Sequence, residues 1–271
     1  MRYFFHIAYY GAGFHGWQRQ TDATSVQQTI EEALSRILKS TIQIVGCGRT
    51  DTGVHASQYF FHADISEKWN FDLLFRLNQV LPSGISLFEI IPVEEKNHTR
   101  YDAIRRTYNY FIHTRKDALL SGFSALYFYP DLDISGMKSA ALLLTKYNDY
   151  AALCKSPKKH KSTICQVSSA ELFTTAKGDR IQFQITSNRF LKGMIRIIIQ
   201  KLLEVGRGKL SLQEFEQILI NNLPVPNIKL AHPEGLYLSK ISYPYLDVEP
   251  LSPFCDLLKK GMKNENEIKT W

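Results

Sequence analysis

Apolar residues recur along the chain at two spacings, alternating and helical, and their order divides it into two mixed halves. Residues Tyr3 to Tyr10 are aromatic and apolar enough for a strand. Gly11, Gly13 and Gly16 then punctuate a loop that ends in His15-Gly16-Trp17-Gln18-Arg19-Gln20. Ser25 and Gln28 have the spacing of a capping box. Behind them Val26, Ile30, Ala33, Leu34, Ile37 and Leu38 repeat at helical intervals, which predicts an amphipathic helix over 25–39. A short strand is expected over Thr41 to Val45, another over Gln58 to Ala63, a helix over 71–80 and an apolar strand from Ile85 to Val93. This half reads β-α-β-β-α-β.

The second half opens at Arg105 to His113, where Tyr108, Tyr110 and Ile112 alternate with Asn109, Phe111 and His113. A helix over 134–146 and strands over 164–173 and 180–187 follow. A long helix from Phe190 to Val205 is closed by Gly206 and Gly208, Ser211 with Glu214 caps another helix, and the last strand covers 236–242. The fold class is therefore α+β, with two α/β halves at 1–104 and 105–271 whose similar element order would let them share one extended antiparallel sheet. The charged stretch Lys259 to Trp271 is poor in apolar residues and is expected to fray at its end.

Composition adds limits. The 271 residues are 44% hydrophobic and 22% charged, ordinary for a globular protein with one large core or two smaller ones. No run of eighteen apolar residues occurs, and Met1-Arg2-Tyr3-Phe4 reads as the start of a strand and not as a leader, so a cytoplasmic protein without membrane contact is expected. Cys47, Cys154, Cys165 and Cys255 form no Cys-x-x-Cys pair, so neither a zinc site nor a disulfide framework is signalled. A net charge of +7 suits a polyanionic partner, though a merely basic globular protein has the same charge.

Chemistry concentrates in a few places. Gly48-Arg49-Thr50-Asp51-Thr52-Gly53 follows a strand, and its glycines let the backbone turn sharply and approach a ligand. Asp51 could act there or could be a turn carboxylate bonded to local amides, and Arg49 could be a solvated surface cation. Arg196 is surrounded by apolar helical neighbours, so it calls for a buried acidic partner, Asp51 being a candidate; a structural ion pair or a snorkelling side chain is the other reading. Tyr108, beside Arg105 and Arg106, could stack on an unpaired base or fill core. The run Lys155-Ser156-Pro157-Lys158-Lys159-His160-Lys161 could touch phosphates or stay solvated.

Five motifs, taken together and in order, resemble the TruA family of bacterial tRNA pseudouridine synthases: Tyr9 to Gln20, Gly48 to Ala56 (GRTDTGVHA), Arg105 to Tyr110 (RRTYNY), Phe190 to Lys209, and Gly235 to Tyr237 (GLY). The likeness spans most of the chain. It implies a pseudouridine synthase fold with a central cleft, a homodimer acting on tRNA with neither cofactor nor metal, and conversion of uridines at positions 38, 39 and 40 of the anticodon stem-loop. It further implies Asp51 as catalytic nucleophile or base, Arg196 as its partner favouring the ionised form, Tyr108 stacking on the target base, Leu236 lining the pocket, and Arg49 contacting RNA. A departure from the family pattern stands at Thr52, where alanine is common, and another at Ile198 to Gln200. The alternative reading is a catalytically inactive tRNA-binding or tRNA-folding protein of the same fold, against which Asp51, Tyr108 and Arg196 argue.

Overall fold

The computed structural model describes residues 1–66, 68–222, 228–252 and 254–263. The chain forms two compact units, Met1–Ile104 with Tyr237–Cys255, and Arg105–Leu236 with Asp256–Trp271.

In the first unit β1 (Arg2–Tyr9) lies antiparallel between β3 (His55–Asp64) and β4 (Ile85–Val93), pairing Phe5 with Phe61 on one side and with Ile90 on the other. The two-residue strand β2 (Val45–Gly46) adds to β3. On the other edge of β3, the final strand β9 (Leu236–Ser242) is parallel, His55 facing Tyr237 and Ala56 facing Leu238. With neighbours on both edges, β3 is buried at every residue from His55 to Ala63. Helices α1 (Val26–Leu38) and α2 (Leu73–Val80) turn Val26, Ile30, Leu34, Leu73 and Leu77 into the core.

Ser25 caps α1 by accepting from Gln28 N–H (3.2 Å), a bond worth about 1 kcal/mol. The return half of the expected box does not form, because the Gln28 side chain donates to Glu32 instead (2.9 Å). The expected strand over 41–45 is reduced to Val45–Gly46. Its apolar residues Ile42 and Ile44 do point inward, but their N–H groups donate to Ser35 Oγ (2.9 Å) and Glu31 Oε1 (3.2 Å) of α1, leaving no donor for a neighbouring strand.

His62 of β3 is buried, 2.8 Å from Thr99 Oγ1. Burial, with Arg2 and His98 adding to it, lowers its pKa to about 4. Between the ordinary histidine value of about 6.5 and that level the unfolded chain binds a proton that the folded chain refuses, so stability is lost as pH falls through this window. Thermal unfolding followed from pH 7 to pH 4.5 should show a declining midpoint, with a shallower decline in His62→Asn whatever its starting stability. Equal slopes would show that other groups govern the acid limb.

In the second unit β5 (Arg105–His113) pairs antiparallel with β8 (Arg180–Ser187), which pairs with β7 (Val167–Thr174); a short β6 (Ala125–Leu126) runs parallel to the end of β5. Helices α3 (Ile134–Leu143), α4 (Met194–Gly206) and α5 (Leu212–Asn221) pack together, α3 also covering β7. The expected box at α5 is complete: Ser211 Oγ accepts from Glu214 N–H and Ser211 N–H donates to the Glu214 carboxylate. Helix α4 starts four residues later than its apolar run, because Gly193 takes φ +71° and sets the first turn at Met194. A Cβ at Gly206 would sit 2.5 Å from Met137 Sδ, so α4 and α3 approach closely there. All four cysteines are buried thiols.

The last described element is α6 (Phe254–Lys259), and beyond it Lys263 exchanges backbone bonds with Thr174; the expected fraying at the end of Lys259 to Trp271 lies outside the described residues. Among the described residues no helix is long and apolar enough to cross a membrane.

Candidate active site

In the first unit the loop 48–54 rests on an earlier one, residues 10–17. Trp17 N–H donates to Thr50 O (3.3 Å), Gly53 N–H to Phe14 O (3.4 Å) and Val54 N–H to Asp51 O (3.1 Å). Tyr9 Oη meets Thr50 Oγ1 at 2.8 Å, and Tyr59 Oη donates to Gly48 O at 2.6 Å. The floor has no room for side chains: a Cβ on Gly11 would lie 2.1 Å from Val54 O, and one on Gly16, itself at φ +81°, 2.4 Å from Thr50 O. His55 accepts from Gly11 N–H at Nδ1 (2.9 Å), which leaves its proton on Nε2, and its ring stacks between Tyr10 and Tyr237.

Asp51 is half-buried at the crest of this loop, and Arg49 is exposed. A turn carboxylate would use the amides two and three residues on, yet Gly53 and Val54 N–H both go to carbonyls. The backbone on both sides of Asp51 is thus anchored by main-chain bonds. Thr52, the departure from the family pattern, is exposed.

In the second unit Tyr110 and Ile112 are fully buried, whereas Tyr108 on the same face of β5 is only half-buried, its ring meeting Phe190 edge-on at 5.1 Å between centroids. Packing accounts for the first two and leaves part of Tyr108 open. Arg196, in the first turn of α4, donates from Nε to Ala231 O (2.7 Å), and Ala231 N–H donates back to Arg196 O (3.1 Å). The next residue, His232, is held through its carbonyl by Tyr110 Oη (2.8 Å) and through its N–H by Tyr127 Oη (3.0 Å). Burial pushes the Tyr110 hydroxyl well above the usual tyrosine range, while the charge of Arg196 pulls the other way, so Tyr110 stays a neutral donor.

A 3-10 turn at Pro233–Gly235 then delivers Leu236, which is 5% exposed. A Cβ on Gly235 would lie 2.5 Å from Phe111 O, so only glycine lets the chain press against β5 there. Segment 231–236 therefore joins Arg196, Leu236 and the strand that carries Tyr108, all within the second unit. Asp51 and Arg49 belong to the first.

Sequence reasoning passes over several of these positions. The spacing of Gly11, Gly13 and Gly16 ahead of a tryptophan marks the floor of the loop, but no local signal announces Ala231, Tyr127 or Tyr59 as braces. Among the described residues no group of three or more His, Cys, Asp or Glu side chains could hold a metal ion.

Residues 140–244 match a family described as tRNA pseudouridine synthase. A tRNA pseudouridine synthase A of Porphyromonas gingivalis is 38% identical over 246 residues, which cover 90% of this chain and 97% of that one. One of Parabacteroides distasonis is 39% identical over 222 residues, 80% of this chain and 86% of that one, and one of Chlorobaculum tepidum is 35% identical over 239 residues, 88% and 96% respectively. With identity of this level over most of the length of each relative, the chain belongs to the tRNA pseudouridine synthase A family.

Proposed function

We propose that this chain converts uridine to pseudouridine in the anticodon stem-loop of tRNA, at positions 38, 39 and 40, with Asp51 as the catalytic carboxylate. Family membership supports the coarser part, an isomerase acting on tRNA uridine. The observation that carries the choice of Asp51 is the anchoring of its loop. Carbonyls 50 and 51 and amides 53 and 54 are all engaged, so the backbone that carries the half-buried side chain is held before any substrate arrives.

The reaction breaks the C1′–N1 bond, turns the uracil and joins C1′ to C5; the C5 proton leaves and N1 gains one. No electrons are exchanged with a partner. A carboxylate can serve by attacking C1′, by adding to the ring or by taking a sugar proton. A stacked base is out of reach for any of these, so the nucleotide must be extruded, and the unstacking cost of a few kcal/mol recovered in a fitted pocket. Tyr108 supplies a stacking face, Leu236 an apolar wall, Arg49 a contact to the RNA, and Arg196 the cation that pairs with the catalytic carboxylate. The enzyme works in the cytoplasm as a homodimer.

Pseudouridine mapping of tRNA from cells lacking the gene tests this. Modification at 38–40 should vanish and return with the wild-type gene but not with Asp51→Asn. Return with the variant would refute the aspartate assignment, and loss confined to another arm of tRNA would refute the anticodon assignment.

A further inference from the structure

The positive charge of the protein is not spread over its surface. Residues 150–170 and 180–203 hold nine of the 33 lysines and arginines and none of the 26 acidic residues, so the other 24 cations fall two short of the acids. The entire excess of +7 resides in these two stretches.

Both belong to the second unit, and the fold lays them side by side. Lys155 N–H donates to Lys192 O (2.9 Å), and Asn188 N–H donates to Gln166 O (3.2 Å). Cys154 and Cys165 bracket the loop between them. Burial raises both thiols and the Arg189 charge works against it in each, which places Arg189 within electrostatic range of both ends of the loop. Three of the nine cations are engaged elsewhere: Arg180 with Leu258 O, Arg196 with Ala231 O, and Lys201 with Glu204. The remaining six, Lys155, Lys158, Lys159, Lys161, Arg189 and Lys192, form no ion pair among the described residues. All but Arg189 are exposed. The loop has a defined shape, with Ser156 at φ +63° and a 3-10 turn at Pro157–Lys159 closed by His160 N–H to Pro157 O (3.0 Å).

We infer that the Lys155–Lys161 loop, with Arg189 and Lys192, is a docking surface for the phosphate backbone of the RNA substrate. This rests on the tRNA reading and adds to it a place and a chemistry of contact. The one carboxylate bonded into this loop among the described residues, Asp149, accepts from Thr163 Oγ1 (2.6 Å) and Ala151 N–H (3.1 Å) and pairs with none of the six cations, so each phosphate they meet displaces only counterions, and the gain in affinity is sequence-independent and steeply salt-dependent. Such a surface positions the substrate and takes no part in bond making.

The test is the triple variant Lys158→Ala/Lys159→Ala/Lys161→Ala in the full chain, with an unmodified tRNA transcript. Three lost phosphate contacts should flatten the slope of log K against log salt by about 2 to 3 and raise KM at least tenfold, with kcat unchanged. Arginine at the same three positions should restore both. An unchanged salt slope and KM would overturn the proposal. So would a fall in kcat at unchanged KM, or an affinity loss that arginine does not rescue, since either would mean a structural role. Binding isotherms decide the matter even if the wild type forms no pseudouridine in that transcript, an outcome that would instead defeat the assigned reaction.

Discussion

Asp51→Asn is expected to cut pseudouridine formation by about 10⁴-fold or more, while tRNA binding stays within about threefold of wild type. The change replaces one oxygen by an amide nitrogen of nearly the same size, and the bonds that anchor the loop come from main-chain groups on both sides, from Tyr9 and from Tyr59, none of which it touches. What it removes is the negative charge and lone pair that each chemical route needs. Release of tritium from tRNA labelled at uridine C5 reports the reaction, because C5 must lose its hydrogen to bond to C1′. Substantial release from the variant would rule the assignment out.

Arg196→Ala is expected to fail twice. Loss of the charge assigned to hold the catalytic carboxylate should lower kcat by about 10²- to 10³-fold, the scale seen when one preorganised donor is deleted. Loss of the bond to Ala231 O, with Arg196 half-buried, should also cost roughly 1.5–3 kcal/mol of stability. Arg196→Lys separates the two, since it keeps a charge and gives up the planar fork. It should regain stability more fully than rate. A lysine variant as active as wild type would mean that Arg196 acts through charge alone, and an alanine variant with unaltered kcat would remove it from the reaction.

The elements legible along the chain are those whose causes are local. Helices α1 and α5 announce themselves by Ser25 and Ser211 and by apolar residues that return every three or four positions. The strand β4 shows as an apolar run, and β5 carries its own alternation. Where the cause lies elsewhere in space the pattern misleads: Ile42 and Ile44 alternate like a strand, but side chains of α1 take their amides. The parallel pairing of His55 with Tyr237 has no local sign either, since about two thirds of the chain separates the two residues.

The candidate site divides the same way. Spacing alone leaves Asp51 a turn aspartate or a poised one, and it gives no sign that the Gly53 and Val54 amides go to carbonyls. Nor does alternation distinguish Tyr108 from Tyr110. Only the surrounding cover does, sealing one and leaving part of the other open.

The glycine floor beneath residues 48–54 bears on how this enzyme can be rebuilt. GRTDTGVHA reads like a portable cassette, yet its carbonyls are held by Trp17 and Tyr59 and its curvature is accommodated by the missing side chains of Gly11 and Gly16. Grafted onto a foreign hairpin without the 10–17 segment, the nine residues would keep their chemistry and lose their aim. In drift or in engineering, the two segments form one inheritable part, although 30 residues of helix and linker separate them.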